Sequence, residues 1–147
     1  MMAWHYTIGQ RFLPIMESGL LMPTKIGVTP PERPIVWFSM HQEFEPTARK
    51  WDATGRVMDV LEMIRVGRGL VRFGSEPKRL LAGEALRKKA RMLPRVWTGL
   101  AARGIAQGAN PDDWCGTVVP VLVDRLVIEV TDADFKWVRV GNDSDED

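Results

Sequence analysis

The chain predicts an α+β domain. Three observations carry that expectation: short β-rich runs toward both ends, apolar residues at helical spacing between them, and Gly/Pro clusters at the joints. Its 147 residues suffice for one domain with one core. That domain is expected over residues 1–141. The close, with Asp143-Ser144-Asp145-Glu146-Asp147, makes 142–147 an acidic tail expected to be disordered.

Trp4 to Ile8 reads as a strand, with Thr7 able to offer its hydroxyl to the next turn. Phe12, Ile15 and Met16 fall on one helical face, and Gly19 is a natural stop. Lys25 to Pro34 is loop. Ile35-Val36-Trp37-Phe38-Ser39 is apolar and β-rich, as in a strand buried on both faces. A helix follows over Met58 to Val66 and a strand over Leu70 to Gly74.

Ser75 and Pro77 read as the cap and first turn of a helix reaching about Met92. A shorter helix covers Arg95 to Ala106. Thr117 to Val123, Arg125 to Thr131 and Phe135 to Val140 are three β-rich runs between turn signals, read as an antiparallel meander.

Composition excludes some classes. With 45% apolar and 27% charged residues the chain is an ordinary soluble one. A net charge of +1 gives no global pull toward nucleic acid or membrane. Cys115 is the single cysteine, so no intramolecular disulfide can form, which fits a reducing compartment. No stretch approaches the roughly 20 apolar residues of a membrane span. A cytoplasmic protein is expected. One local exception is the segment Lys78 to Arg95, whose seven cations face one acid, Glu84; it reads as a solvated face or as a footprint for nucleic acid or an acidic protein.

His41, Glu43 and Glu45 would share one face of an extended chain and offer a nitrogen and two oxygens. Pro46 interrupts such a strand, and no metal site is assigned.

His5-Tyr6-Thr7, a short helix ending in Ser18-Gly19, Met22-Pro23, and then Val36-Trp37-Phe38-Ser39 form an ordered series. It resembles the N-terminal half of ADP-ribosyltransferase-like domains. The resemblance implies two small, mostly antiparallel sheets forming a cleft with flanking helices, with NAD held in the cleft. It implies that His5 contacts ribose hydroxyls, that Thr7 and Ser39 support the cofactor, and that Trp37 or Phe38 offers an aromatic wall. Such domains place a glutamate on a late strand. Trp114 to Val119 has no acid, so Glu129 is assigned as the catalytic carboxylate.

Cleaving the nicotinamide–ribose bond builds a cation-like sugar, which a held negative charge stabilises. The pyrophosphate of NAD wants cations, and Arg72, Arg11 and Lys25 are candidates. The implied activity is ADP-ribosyl transfer to a protein or nucleic acid; DNA-modifying toxins share the fold. Two other readings stand beside it: a catalytically silent relative that binds a nucleotide or a protein, and a nucleic-acid-binding module using the basic segment.

Overall fold

The structure is a computed structural model and describes residues 1–141. The expected acidic tail lies outside the described residues. The chain begins with strand β1 (Ala3–Ile8), helix α1 (Phe12–Ser18) and a short strand β2 (Leu20–Leu21). After a long loop come β3 (Val36–Ser39), α2 (Val60–Gly67) and β4 (Leu70–Ser75). The second half runs β5 (Leu81–Ala82), α3 (Gly83–Lys89), α4 (Pro94–Ala106), β6 (Trp114–Thr117), β7 (Val121–Leu122), β8 (Val127–Thr131) and β9 (Trp137–Arg139).

Mixed α+β content with antiparallel pairing agrees with the sequence. The division into sheets differs from two small ones. Seven strands make one sheet in the order β5-β6-β3-β1-β4-β8-β9, and β2 pairs with β7 in a separate ribbon. The large sheet is nonetheless almost split. β1 pairs with β4 through six successive residues, Ala3↔Ser75 to Ile8↔Leu70. It meets β3 at the single pair Trp4↔Ser39. Beyond that pair β1 and β3 separate.

Alternation along the strands fills both faces. Ala3, Val36, Phe38, Val71, Phe73 and Cys115 form one buried cluster, against which Phe12 and Ile15 of α1 pack. Trp4, Tyr6, Phe44, Met58, Met63 and Leu70 form another, closed by α2. A third gathers Ile35, Leu86, Ala90 and Met92, with Trp37, Val96, Trp97 and Leu100 packed on it, and so seats α3 and α4. A side chain such as Phe73, with no exposed surface, contributes about 1.5–3 kcal/mol by burial.

Four expectations are corrected. The helix expected over Pro77 to Met92 begins at Gly83; Leu81 and Ala82 instead pair with Gly116 and Cys115. Cross-strand pairing there outweighs the helical spacing of Leu80, Leu81 and Ala85. Ser75 ends β4 and does not cap a helix. The closing runs are not one meander: β6 pairs with β3, β7 with β2, and only β8 and β9 form the expected neighbours. Thr7 is a buried strand residue, and Ile8 precedes the next turn without a side-chain cap.

Candidate active site

The separation of β1 from β3 opens a cavity of about 680 Å³. Its walls come from β1, α1 and the loop after it, β3, the segment 45–50, α4 and Trp114 of β6. His5, Thr7, Trp37 and Ser39, expected at a cofactor site, all line it. The pair Trp4↔Ser39 puts those two side chains on one sheet face, so alternation sends His5 to the other. His5 and Ser39 reach one cavity because the strands part between them.

His5 is fixed by that parting. Its Nδ1 lies 2.7 Å from the carbonyl oxygen of Trp37, on the strand from which β1 has separated. The carbonyl can only accept, so Nδ1 carries the proton and Nε2 is left as an acceptor. Burial dominates the electrostatics of the ring: it lowers the pKa from 6.5 to about 4, with Lys50 and Arg11 adding smaller pushes the same way and the Trp37 bond opposing. The imidazole is therefore neutral at pH 7.

A stability dependence follows. The unfolded chain binds this proton near pH 6.5 and the folded chain only near 4. Stability from His5 is thus fully present above pH 6.5 and lost as pH falls toward 4. The loss amounts to about 3 kcal/mol. Denaturant midpoints between pH 7 and 4 should fall in the wild type and fall less in His5→Gln.

Arg11, Lys50 and Arg103 also line the cavity, and none forms an ion pair among the described residues. Lys50 has its pKa lowered by burial first and by Arg11 second, which places two cations near one another. Such an arrangement is poised for an anionic group. Of the three pyrophosphate candidates read from sequence, Arg11 lines the cavity, while Arg72 and Lys25 do not.

The carboxylate in this cavity is Glu45. It is 6% exposed and sits before a single 3₁₀ turn at Pro46–Ala48. Oε1 accepts from Ser39 Oγ at 3.0 Å and from Trp114 Nε1 at 3.2 Å. Oε2 accepts from Thr47 N at 2.9 Å and Thr47 Oγ1 at 2.5 Å. Four donors hold the carboxylate in one orientation. Trp114 is itself positioned by close packing: a Cβ on Gly104 of α4 would lie 2.5 Å from its ring.

Glu129 is elsewhere, and its expected place in the cleft is corrected. It does not line the cavity. Its Oε1 accepts from Arg72 Nε at 2.9 Å and Nη2 at 2.5 Å. The guanidinium of Arg72 lies between two indoles, 3.9 Å from the ring centroid of Trp4 and 4.4 Å from that of Trp137. Arg72 also donates to the carbonyl of Gln42 at 2.5 Å. Both expected site residues are thus bound to each other. The register Arg72↔Glu129 across β4 and β8 brings them together.

The remaining candidates resolve similarly. His41 Nδ1 accepts from the backbone N–H groups of Glu43 and Phe44, and Glu45 turns to the cavity, so the three do not share a face. Tyr6 donates its hydroxyl to the His41 carbonyl and is raised to about 12, chiefly by burial. Burial pushes the Cys115 thiol up to about 11, which suits a core residue. No helix among the described residues is long and apolar enough to cross a membrane. No protein-family model, curated protein or solved structure matches the chain.

Proposed function

We propose that the protein is an ADP-ribosyltransferase-like enzyme that takes NAD in the cavity between β1 and β3. One observation carries the reading: a neutral histidine with a free acceptor, a fixed carboxylate and cations without ion-pair partners converge in one cavity. Its volume lies within the usual range for sites that take small molecules and cofactors, roughly 300–1,000 Å³. The ordered motif series that resembles the family includes the histidine, Thr7, Trp37 and Ser39, and Glu45 lines the same cavity.

In this reading His5 Nε2 accepts from a ribose hydroxyl. Arg11 and Lys50 face the pyrophosphate. Trp37 and Trp114, whose rings lie 6.1 Å apart in edge contact, wall the flat end of the ligand. Glu45 takes the role first assigned to Glu129. Its charge stabilises the cation-like sugar formed as the glycosidic bond breaks and nicotinamide leaves with the bonding electrons. The acceptor's nucleophile then bonds to the anomeric carbon and loses its proton to solvent.

Isothermal calorimetry with NAD, and labelled NAD offered with protein and nucleic-acid extracts, test this. His5→Ala should weaken NAD binding about ten-fold and lower turnover with it, because a ground-state contact is lost. A wild-type protein that neither binds NAD nor consumes it rejects the proposal. A second reading, a silent nucleotide-binding relative, is favoured by the four donors already on Glu45. It predicts NAD binding with no consumption.

A further inference from the structure

The basic segment behaves differently from its sequence. Lys78 and Arg79 pair with Glu76, and Arg87 pairs with Glu84 at 2.8 Å. Arg87 also donates to the Met92 carbonyl at 2.7 Å, so its head is occupied within the fold. Lys88, Lys89, Arg91 and Arg95 remain, all exposed and without an ion pair among the described residues.

These four do not form an isolated patch. Arg95 opens α4, and Arg103 lies two turns further along it, about 12 Å away. A Cβ on Gly99 would meet Arg103 Nη1 at 3.7 Å, so the Arg103 guanidinium lies back over Gly99 toward Arg95. Arg103 lines the cavity. Exposed cations thus cluster in sequence at the end of α3 and the start of α4, and Arg103 brings a further one from α4 to the cavity that Arg11 and Lys50 also line.

The segment that brings Lys50 to the cavity continues into an exposed aromatic. Trp51 follows Lys50 directly and is 66% exposed, unlike the packed Trp4 and Trp114. Its loop is built rather than slack. Trp51 bridges to Val57, and Asp52 Oδ1 accepts from the backbone N–H groups of Thr54 and Arg56 at 2.8 and 3.0 Å. Arg49 Nη2 donates to the Gln107 carbonyl at 3.3 Å, tying the loop to the end of α4.

We propose that this surface binds a single-stranded nucleic acid, led along the cations of α3 and α4 to the cavity, with one base stacked on Trp51. The inference rests on the transferase reading for its role as acceptor. A cationic groove with an exposed aromatic is how single strands are held without sequence preference. An acidic protein would meet the cations but leave Trp51 without a stacking partner.

The test is fluorescence anisotropy of the full chain with labelled single-stranded DNA and RNA 12-mers across a salt series. Each neutralised phosphate of a single strand contributes a log–log salt slope near −0.7. Wild type should bind with a slope of about −3, as four such contacts give. The triple change Lys88→Ala, Arg91→Ala, Arg95→Ala should flatten the slope by about 2. Trp51→Ala should weaken binding about ten-fold or more while leaving the slope unchanged, since stacking releases no counterion. No retention at low salt overturns the proposal. So does equal competition by polyglutamate, or equal affinity for a duplex with Trp51→Ala silent. Oligonucleotide binding by a protein that never consumes NAD keeps this surface and removes the transferase reading. NAD turnover on a protein acceptor without oligonucleotide binding does the reverse.

Discussion

Glu129→Gln should destabilise the fold by about 3 kcal/mol, the lower end of the range for removing one partner of a buried ion pair. The side chains of Arg72 and Glu129 are 9% and 13% exposed. Glutamine keeps one oxygen able to accept both Arg72 N–H groups that Oε1 accepts now, which is why the lower end is expected. It removes the charge that offsets a guanidinium held between Trp4 and Trp137. The indoles add cation–π attraction, yet they cannot replace a carboxylate bonded twice. For a chain of this length 3 kcal/mol corresponds to a fall in Tm of about 10 °C. Urea unfolding should show a lower midpoint at unchanged slope. Turnover, measured where the variant is folded, should be preserved. A variant of normal stability with lost turnover would return Glu129 to the chemistry.

That pair shows where sequence reading ran short. A glutamate on a late strand resembles the family's carboxylate, but sequence does not give register. Arg72 and Glu129 are 57 residues apart and become neighbours only when β4 pairs with β8. By contrast, β1, the cap at Gly19 and β3 were legible, because alternation, a glycine stop and an apolar run are local signals. The convergence of His5, Thr7, Trp37 and Ser39 on one cavity followed the motif order.

Glu45 was hidden by reading His41 to Glu45 as extended, with period two. The chain leaves β3 at Ser39, and Glu45 caps a turn. Pro46 in the first turn position, with an acid before it, was the available signal. Its partner Trp114 lies 69 residues away and could not be seen. The basic segment was legible as charge. Its division into paired and unpaired cations needed the positions of Glu76 and Glu84.

On the proposed transferase reading, Glu45→Gln is the substitution expected to cost the most activity. Oε1 meets the fixed N–H of Trp114, and Oε2 meets the fixed N–H of Thr47. The hydroxyls of Ser39 and Thr47 can turn to become acceptors, but an indole and a backbone amide cannot. Whichever way the glutamine amide is placed, its NH₂ faces one of those donors. One buried donor is left unmade, at a cost of about 1–3 kcal/mol in stability. The larger effect is on the reaction. With the charge gone, the cavity offers its cations and a neutral wall to a developing sugar cation. Turnover should fall by roughly 10²–10³, as on losing one preorganised electrostatic group, while NAD affinity changes only a few-fold. Glu45→Asp retains the charge on a shorter arm that cannot reach all four donors, so part of the activity should return. Wild-type turnover in Glu45→Gln, confirmed as folded by its urea transition, would sink the assignment of Glu45. Equal loss of binding and turnover would instead make it a wall of the site, holding Ser39 and Trp114 in place without acting on the bond that breaks.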